Sequence, residues 1–138
     1  MKIEVTEDIS TCLALRRAVF IEEQGVPEAE EIDDLDALAV HLLASVAGRP
    51  VGSARLLTYS DTGKIGRVCV LRDQRGTGLG AALIAKAVAH FRGQAWVDRV
   101  KLGAQLHAIG FYERLGFVAF GPVYDDAGIP HRDMVLEF

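Results

Sequence analysis

The spacing of apolar positions changes several times along the chain, and each change marks an element. Lys2 to Val5 alternate as a short strand. Ile9, Leu13, Val19 and Phe20 recur near helical spacing, with Asp8, Ser10 or Thr11 available as N-caps. A helix is therefore predicted from Ser10 to about Gln24, ended by Gly25 and Pro27. Arg16 lies near its apolar stripe and reads as a salt-bridged helix residue. Three apolar runs follow: Leu38 to Ala47, Val51 to Tyr59 and Ile65 to Leu71. The turns Gly48-Arg49-Pro50 and Ser60-Asp61-Thr62-Gly63 separate them, so the three predict an antiparallel meander.

Helical spacing returns at Leu79, Leu83, Val88 and Phe91 and predicts a long helix from Gly78 to about Phe91. Arg99 to Ala104 then reads as a strand reached by a β-α-β crossover, parallel to Ile65–Leu71. His107 to Leu115 is a third helix, stopped by Gly116. Phe117 to Phe120 and Asp133 to Phe138 are the closing strands, with a loop at Asp125–Pro130. This order predicts an α/β fold: a central mixed sheet with helices on both faces, in one domain over residues 1–138.

Polar residues inside apolar runs change that picture at three places. His41, Arg55 and Arg67 interrupt the meander. Each is either satisfied singly by a carboxylate from the first helix or part of a polar pocket. Glu28 to Asp36 carries six carboxylates, which read as a solvated face or as an acidic rim for a cationic amine. Cys12 and Cys69 stand in apolar segments and read as buried free thiols of a cytoplasmic protein, without disulfide or metal. A net charge of −4 argues against a general nucleic-acid binder. No apolar run reaches membrane-spanning length.

The chemistry concentrates where the third meander strand meets the long helix. Val68-Cys69-Val70-Leu71 leads into Arg72 to Gly80, which is polar and glycine-rich, and the helix follows. A helix N-terminus presents N–H groups without internal partners and a partial positive charge. Glycines let a phosphate approach that backbone, and an arginine adds a full charge. No Gly-Lys-Ser/Thr is present, so this is not a Walker loop. Gly76-x-Gly78-x-x-Ala81 matches the loose dinucleotide pattern, yet the strand that follows ends at Ala104-Gln105 without a carboxylate.

Arg75-x-x-Gly78-x-Gly80 after a strand resembles motif A of the GNAT superfamily of N-acetyltransferases. Phe111-Tyr112-Glu113-Arg114-Leu115-Gly116-Phe117 resembles that family's F-Y-x-x-x-G-F motif, with Ala108 four before the tyrosine. Gln105 stands where many members have Asn. Val19–Pro27 with Glu31, Asp33, Asp36 and His41, Leu102–Gln105 with His107, and Tyr124–His131 with Met134 look like the ElaA/YjcF-type branch. The resemblance covers nearly the whole chain.

It implies a mostly antiparallel sheet with a splayed parallel strand pair, and acetyl transfer from acetyl-CoA to a primary amine by direct attack. On this pattern Val68, Cys69 and Val70 pair with the pantetheine arm, and Arg75, Gly76, Thr77, Gly78, Leu79, Gly80 and Ala81 hold the pyrophosphate. Gln105 adds a side-chain contact to CoA, and Tyr112 is the general acid. Glu23, His41 and His131 are candidates on the acceptor side. The acceptor is a small-molecule or peptide amine; no metal, nucleic acid or membrane is implied. A homodimer through an exposed last strand, and a non-catalytic acyl-CoA sensor on the same fold, are further possibilities.

Overall fold

A computed structural model describes all residues, Met1 to Phe138. Seven strands form one sheet: β1 (Lys2–Thr6), β2 (Val40–Val46), β3 (Arg49–Tyr59), β4 (Thr62–Val70), β5 (Arg99–Gln105), β6 (Val118–Asp126) and β7 (Ile129–Glu137). Their order across the sheet is β1-β2-β3-β4-β5-β7-β6. Every neighbouring pair is antiparallel except β4 with β5. The helices are α1 (Ile9–Arg16), α2 (Glu28–Glu31), α3 (Leu79–Arg92) and α4 (Ile109–Arg114).

Strand alternation sorts the core into two clusters on opposite faces of the sheet. Leu42 and Ala44 of β2 join the larger cluster, with Leu83, Ala87 and Phe91 of α3. Leu43, between them, joins Cys12, Leu15 and Val19 from the first helix. Gly63 of β4 is required by the α3 packing, because a Cβ there would stand 2.5 Å from the Phe91 ring. Both cysteines are buried and free.

Several elements differ in detail from the sequence pattern. The first helix is capped by Asp8, which accepts from the Thr11 N–H at 3.2 Å. It then continues from Arg17 to Glu23 as a π-helix, a wider coil that periodicity cannot distinguish and that often marks functional sites. Tyr59 pairs with Thr62, so the turn before β4 is shorter than Ser60–Gly63. The Asp125–Pro130 loop is likewise a tight hairpin, with Ala127 (φ 54°) and Gly128 (φ 80°) as its central residues.

One expectation is overturned. The last strand is no exposed edge: β7 lies between β5 and β6, with a partner on each side. Its backbone groups are already paired, so it cannot extend the sheet across a dimer; the outer strands are β1 and β6.

The parallel pair opens as expected. β4 and β5 are paired from Thr62↔Arg99 to Ile65↔Leu102 and no further. Beyond Ile65, β4 stays with β3 while β5 follows β7. A bulge accompanies the parting: Arg55 opposes Gly66 but Ser53 opposes Cys69, so β4 carries an extra residue at Arg67–Val68. The bulge reverses the strand's faces. Ile65 and Cys69 are four apart and would share a face of a regular strand, yet they belong to opposite clusters. Arg67 has φ 50°, a left-handed conformation costly for an ordinary residue.

Candidate active site

Between the diverging ends of β4 and β5 lies a cleft of about 490 Å³. The bulged end of β4 forms one wall, with Val68, Cys69 and Val70. The π-helical segment contributes Val19, Phe20 and Glu23, and β6–β7 contribute Tyr124, His131 and Asp133. Leu71 N–H donates to Val51 on β3 at 2.8 Å, so strand alternation turns the polar groups of Val70 to the opposite, open side. The Val70 carbonyl is reached there by Arg75 Nε at 3.0 Å.

The loop after β4 has the features of an anion site. Gly76 (φ 76°) and Gly78 (φ 87°) are left-handed, and nothing lies within 4 Å of where a Cβ would stand on either. Gly78 is the N-cap of α3 and has no side-chain cap. The first amide bonded back into the helix is that of Ala82, to Gly78 O at 3.1 Å, so the amides of residues 76–81 keep their donors free. Thr77 Oγ1 donates to Gln74 O at 2.6 Å and braces the turn.

Tyr112 of α4 is 9 % exposed and packs edge-on against Phe111 and Phe117. Burial alone pushes its phenol up to about 12. It therefore stays protonated throughout the neutral range and can act as a donor in the cleft.

The candidate acceptor-side residues have different fates. His131 lines the cleft; its Nδ1 lies 2.7 Å from Ile129 O and its ring stacks on Tyr124. With Nδ1–H donating to that carbonyl, Nε2 of the neutral ring is the acceptor. Glu23 also lines the cleft, but its carboxylate is held by Arg75, with contacts of 2.6 and 2.8 Å. The Arg75 guanidinium keeps the Glu23 carboxyl below its ordinary range, which makes it a poor base. His41 is corrected as a pocket residue: it does not line the cleft and is buried, 3 % exposed, with Nε2 2.9 Å from Asp36 O. Gln105 lies in the cleft with both ends of its amide engaged, by Gln24 at 3.0 Å and His107 at 2.7 Å.

Sequence reasoning did not assemble the charged floor of the cleft. Arg16 donates to Glu31 at 2.5 Å and to Asp36 at 2.7 Å while itself 1 % exposed. Arg55 donates to Asp33 at 2.8 Å and to Asp36 at 3.2 Å. Arg67 Nη2 reaches Asp33 at 3.2 Å. The acids thus come from the Glu28–Asp36 stretch and not from the first helix. The two readings of that stretch also fail in part: Glu31, Asp33 and Asp36 turn inward onto arginines. Burial pushes Asp33 and Asp36 up, but the hydrogen bonds and charge of Arg55 and Arg16 outweigh it and leave both below the ordinary range. Tyr124 was also missed as a cleft residue. Its Oη donates to Asp133 at 2.8 Å, and it crosses β5 at Gly103, where a Cβ would stand 2.5 Å from that oxygen.

A sheet splayed at its one parallel pair, with a glycine-lined helix start beside the opening, is an acyltransferase architecture, and the sequence comparisons agree. Residues 11–138 match the family model described as Acetyltransferase (GNAT) domain. The chain belongs to this family and is an enzyme of the N-acetyltransferase class. Within the family it is similar to ElaA of Escherichia coli, 38 % identical over 130 residues, 91 % of this chain and 84 % of that protein. It is similar as well to the N-acetyltransferase YjcF of Bacillus subtilis, 35 % identical over 132 residues, 95 % of this chain and 94 % of that protein. Among solved structures, an acyl-CoA N-acyltransferase from Pseudomonas aeruginosa superposes with a TM-score of 0.87 at 31 % identity, covering 99 % of each chain.

Proposed function

We propose that the protein transfers an acetyl group from acetyl-CoA to a primary amine by direct attack. The observation that carries this reading is the open side of β4 at Val70 followed at once by the unbonded amides of residues 76–81. An extended, amide-bearing arm can add to β4 as a strand would. The pyrophosphate at its far end then meets Gly76, Thr77, Gly78, Leu79, Gly80 and Ala81. Arg75 supplies the adjacent charge by exchanging Glu23 for phosphate.

In the reaction the amine nitrogen attacks the thioester carbon, the carbonyl oxygen takes the charge, and the C–S bond then breaks. Val70 N–H is the donor to that oxygen. Tyr112 donates to the sulfur as it leaves. Its raised pKa makes full proton transfer to a thiolate of ordinary pKa uphill, so its contribution is hydrogen bonding to the developing charge rather than early protonation. His131 Nε2 is the base of choice for the amine, since His41 does not line the cleft and Glu23 is ion-paired.

A thiol-release assay with acetyl-CoA over a panel of amine classes tests the function. Amine-dependent release that falls in Tyr112→Phe supports it. Tight CoA binding with no release for any amine would make the protein a sensor instead.

A further inference from the structure

Arg55 and Arg67 have more donors than the protein uses. Arg55 spends Nη1 on both Asp33 and Asp36, and Arg67 works through Nη2, to Glu31 O at 3.1 Å and to Asp33. Nη2 of Arg55 and Nη1 of Arg67 have no protein acceptor and are not sealed from the cleft, which both side chains line. Behind them, the Nε atoms of both are buried with no hydrogen-bond acceptor, although Arg67 Nε stands 3.4 Å from a Glu31 oxygen. Arg55 is only 6 % exposed. The Nε atoms are sealed from a ligand, but they leave both guanidinium groups short of acceptors, so an anion on the open Nη donors is favoured.

The backbone points the same way. The β4 bulge and the positive φ of Arg67 place this side chain on the face of the first helix, beside Arg55 and Glu31. A bulge re-aims a side chain, and backbone strain of this kind clusters at ligand sites. Burial, together with the like charges of Arg55 and Arg16, also lowers the pKa of Arg67, a strain that an anion would relieve.

We propose that the acceptor is an amine that also bears a carboxylate, and that Arg67 and Arg55 receive this carboxylate on the floor of the cleft. The inference rests on the transferase reading and adds the substrate class to it. Three arginines face three carboxylates here, Glu31, Asp33 and Asp36, so the cluster has little net field. Selection is by directed guanidinium donors. The opposite wall carries Asp126 and Asp133 and would favour the reverse, a purely cationic amine.

Matched amines decide between the two walls: L-lysine against cadaverine, L-arginine against agmatine, L-phenylalanine against phenethylamine. The members of each pair differ by one carboxylate. Thiol release gives kcat/KM, and calorimetry in the presence of CoA gives binding whether or not turnover occurs. The carboxylate-bearing member should be favoured about tenfold or more in at least one pair. Arg67→Asn, which tolerates the positive φ, should erase that ratio, while Arg67→Lys should keep part of it. A merely structural role for Arg67 would depress both members alike. Equal or better performance by the decarboxylated amines, a ratio untouched in Arg67→Asn, or no binding by any member overturns the proposal. Absence of turnover alongside carboxylate-selective binding would instead count against the transferase reading alone.

Discussion

Arg75 closes a two-pronged contact on Glu23, Nη1 to Oε2 at 2.6 Å and Nη2 to Oε1 at 2.8 Å, while its Nε holds the Val70 carbonyl at 3.0 Å. One side chain thus joins the π-helical segment, the open side of β4 and the glycine loop. The resemblance assigned Arg75 to the donor and Glu23 to the acceptor; the structure couples them. Glu23 is the anionic partner of Arg75 in this structure. Removing its charge should release Arg75 for phosphate. Glu23→Gln should therefore tighten CoA binding, and Arg75→Gln should weaken it about tenfold and flatten its salt dependence. Calorimetric titration of both variants at two ionic strengths checks this. Equal weakening by both would show that the pair only braces the loop.

Tyr112→Phe should leave the dissociation constant of CoA unchanged and lower kcat by about a hundredfold. The phenol stands at about 12, so no limb of the pH–rate profile below pH 10 should belong to it. His131→Gln should lower kcat/KM at neutral pH and recover at high pH, where an alkylamine arrives already deprotonated. A defect in His131→Gln independent of pH would assign that side chain to packing on Tyr124.

Alkaline stability follows from the same burial. Desolvation raises the Cys69 thiol and the Tyr112 phenol, each to about 12. Both are neutral in the fold and ionise near ~8.5 and ~10 when unfolded. Their contribution is complete below those values and is lost progressively as pH rises to 12. Denaturant titrations from pH 8 to 11 should show falling stability, with a shallower slope in Cys69→Ala. The acidic side has the opposite sign. Asp33 and Asp36 are held below their ordinary range, so their contribution is present at neutral pH and disappears as pH falls below about 4.

Arg16→Met should cost about 3 kcal/mol, because it removes the buried cation shared by Glu31 and Asp36 and leaves Glu31 only Arg67 at 3.4 Å and Asp36 only Arg55 at 3.2 Å. Urea unfolding measures this directly. Gly63→Ala should cost about 1–3 kcal/mol by forcing Phe91 out of its rotamer. A loss under half a kcal/mol in either would show that the neighbouring elements move freely.

The periodic parts of this fold were legible in the sequence. Gly78–Phe91 was read to within one residue at each end of α3, because apolar spacing and glycine punctuation agree there. Arg16 near the apolar stripe is likewise salt-bridged, as its place in the pattern implies. What escaped depends on register. The bulge at Arg67–Val68 adds one residue without changing composition, yet it decides which face Arg67 occupies. The order β5-β7-β6 comes from how the last hairpin folds back, and no local pattern records it. The pairing of Arg75 with Glu23 spans 52 residues, and the arginine–carboxylate cluster joins the acidic stretch to strands far along the chain. The sequence named its members singly; only the tertiary fold brings them together.

Titration of the isotope-labelled protein with acetyl-CoA, followed by amide NMR, tests the donor site most directly. The amides of Val70 and Gly76 to Ala81 should shift together and saturate at one equivalent, with the Tyr112 ring responding and the β1–β2 edge silent. Saturable shifts confined to other surfaces, or none at the glycine loop, would contradict an acyl-CoA site there.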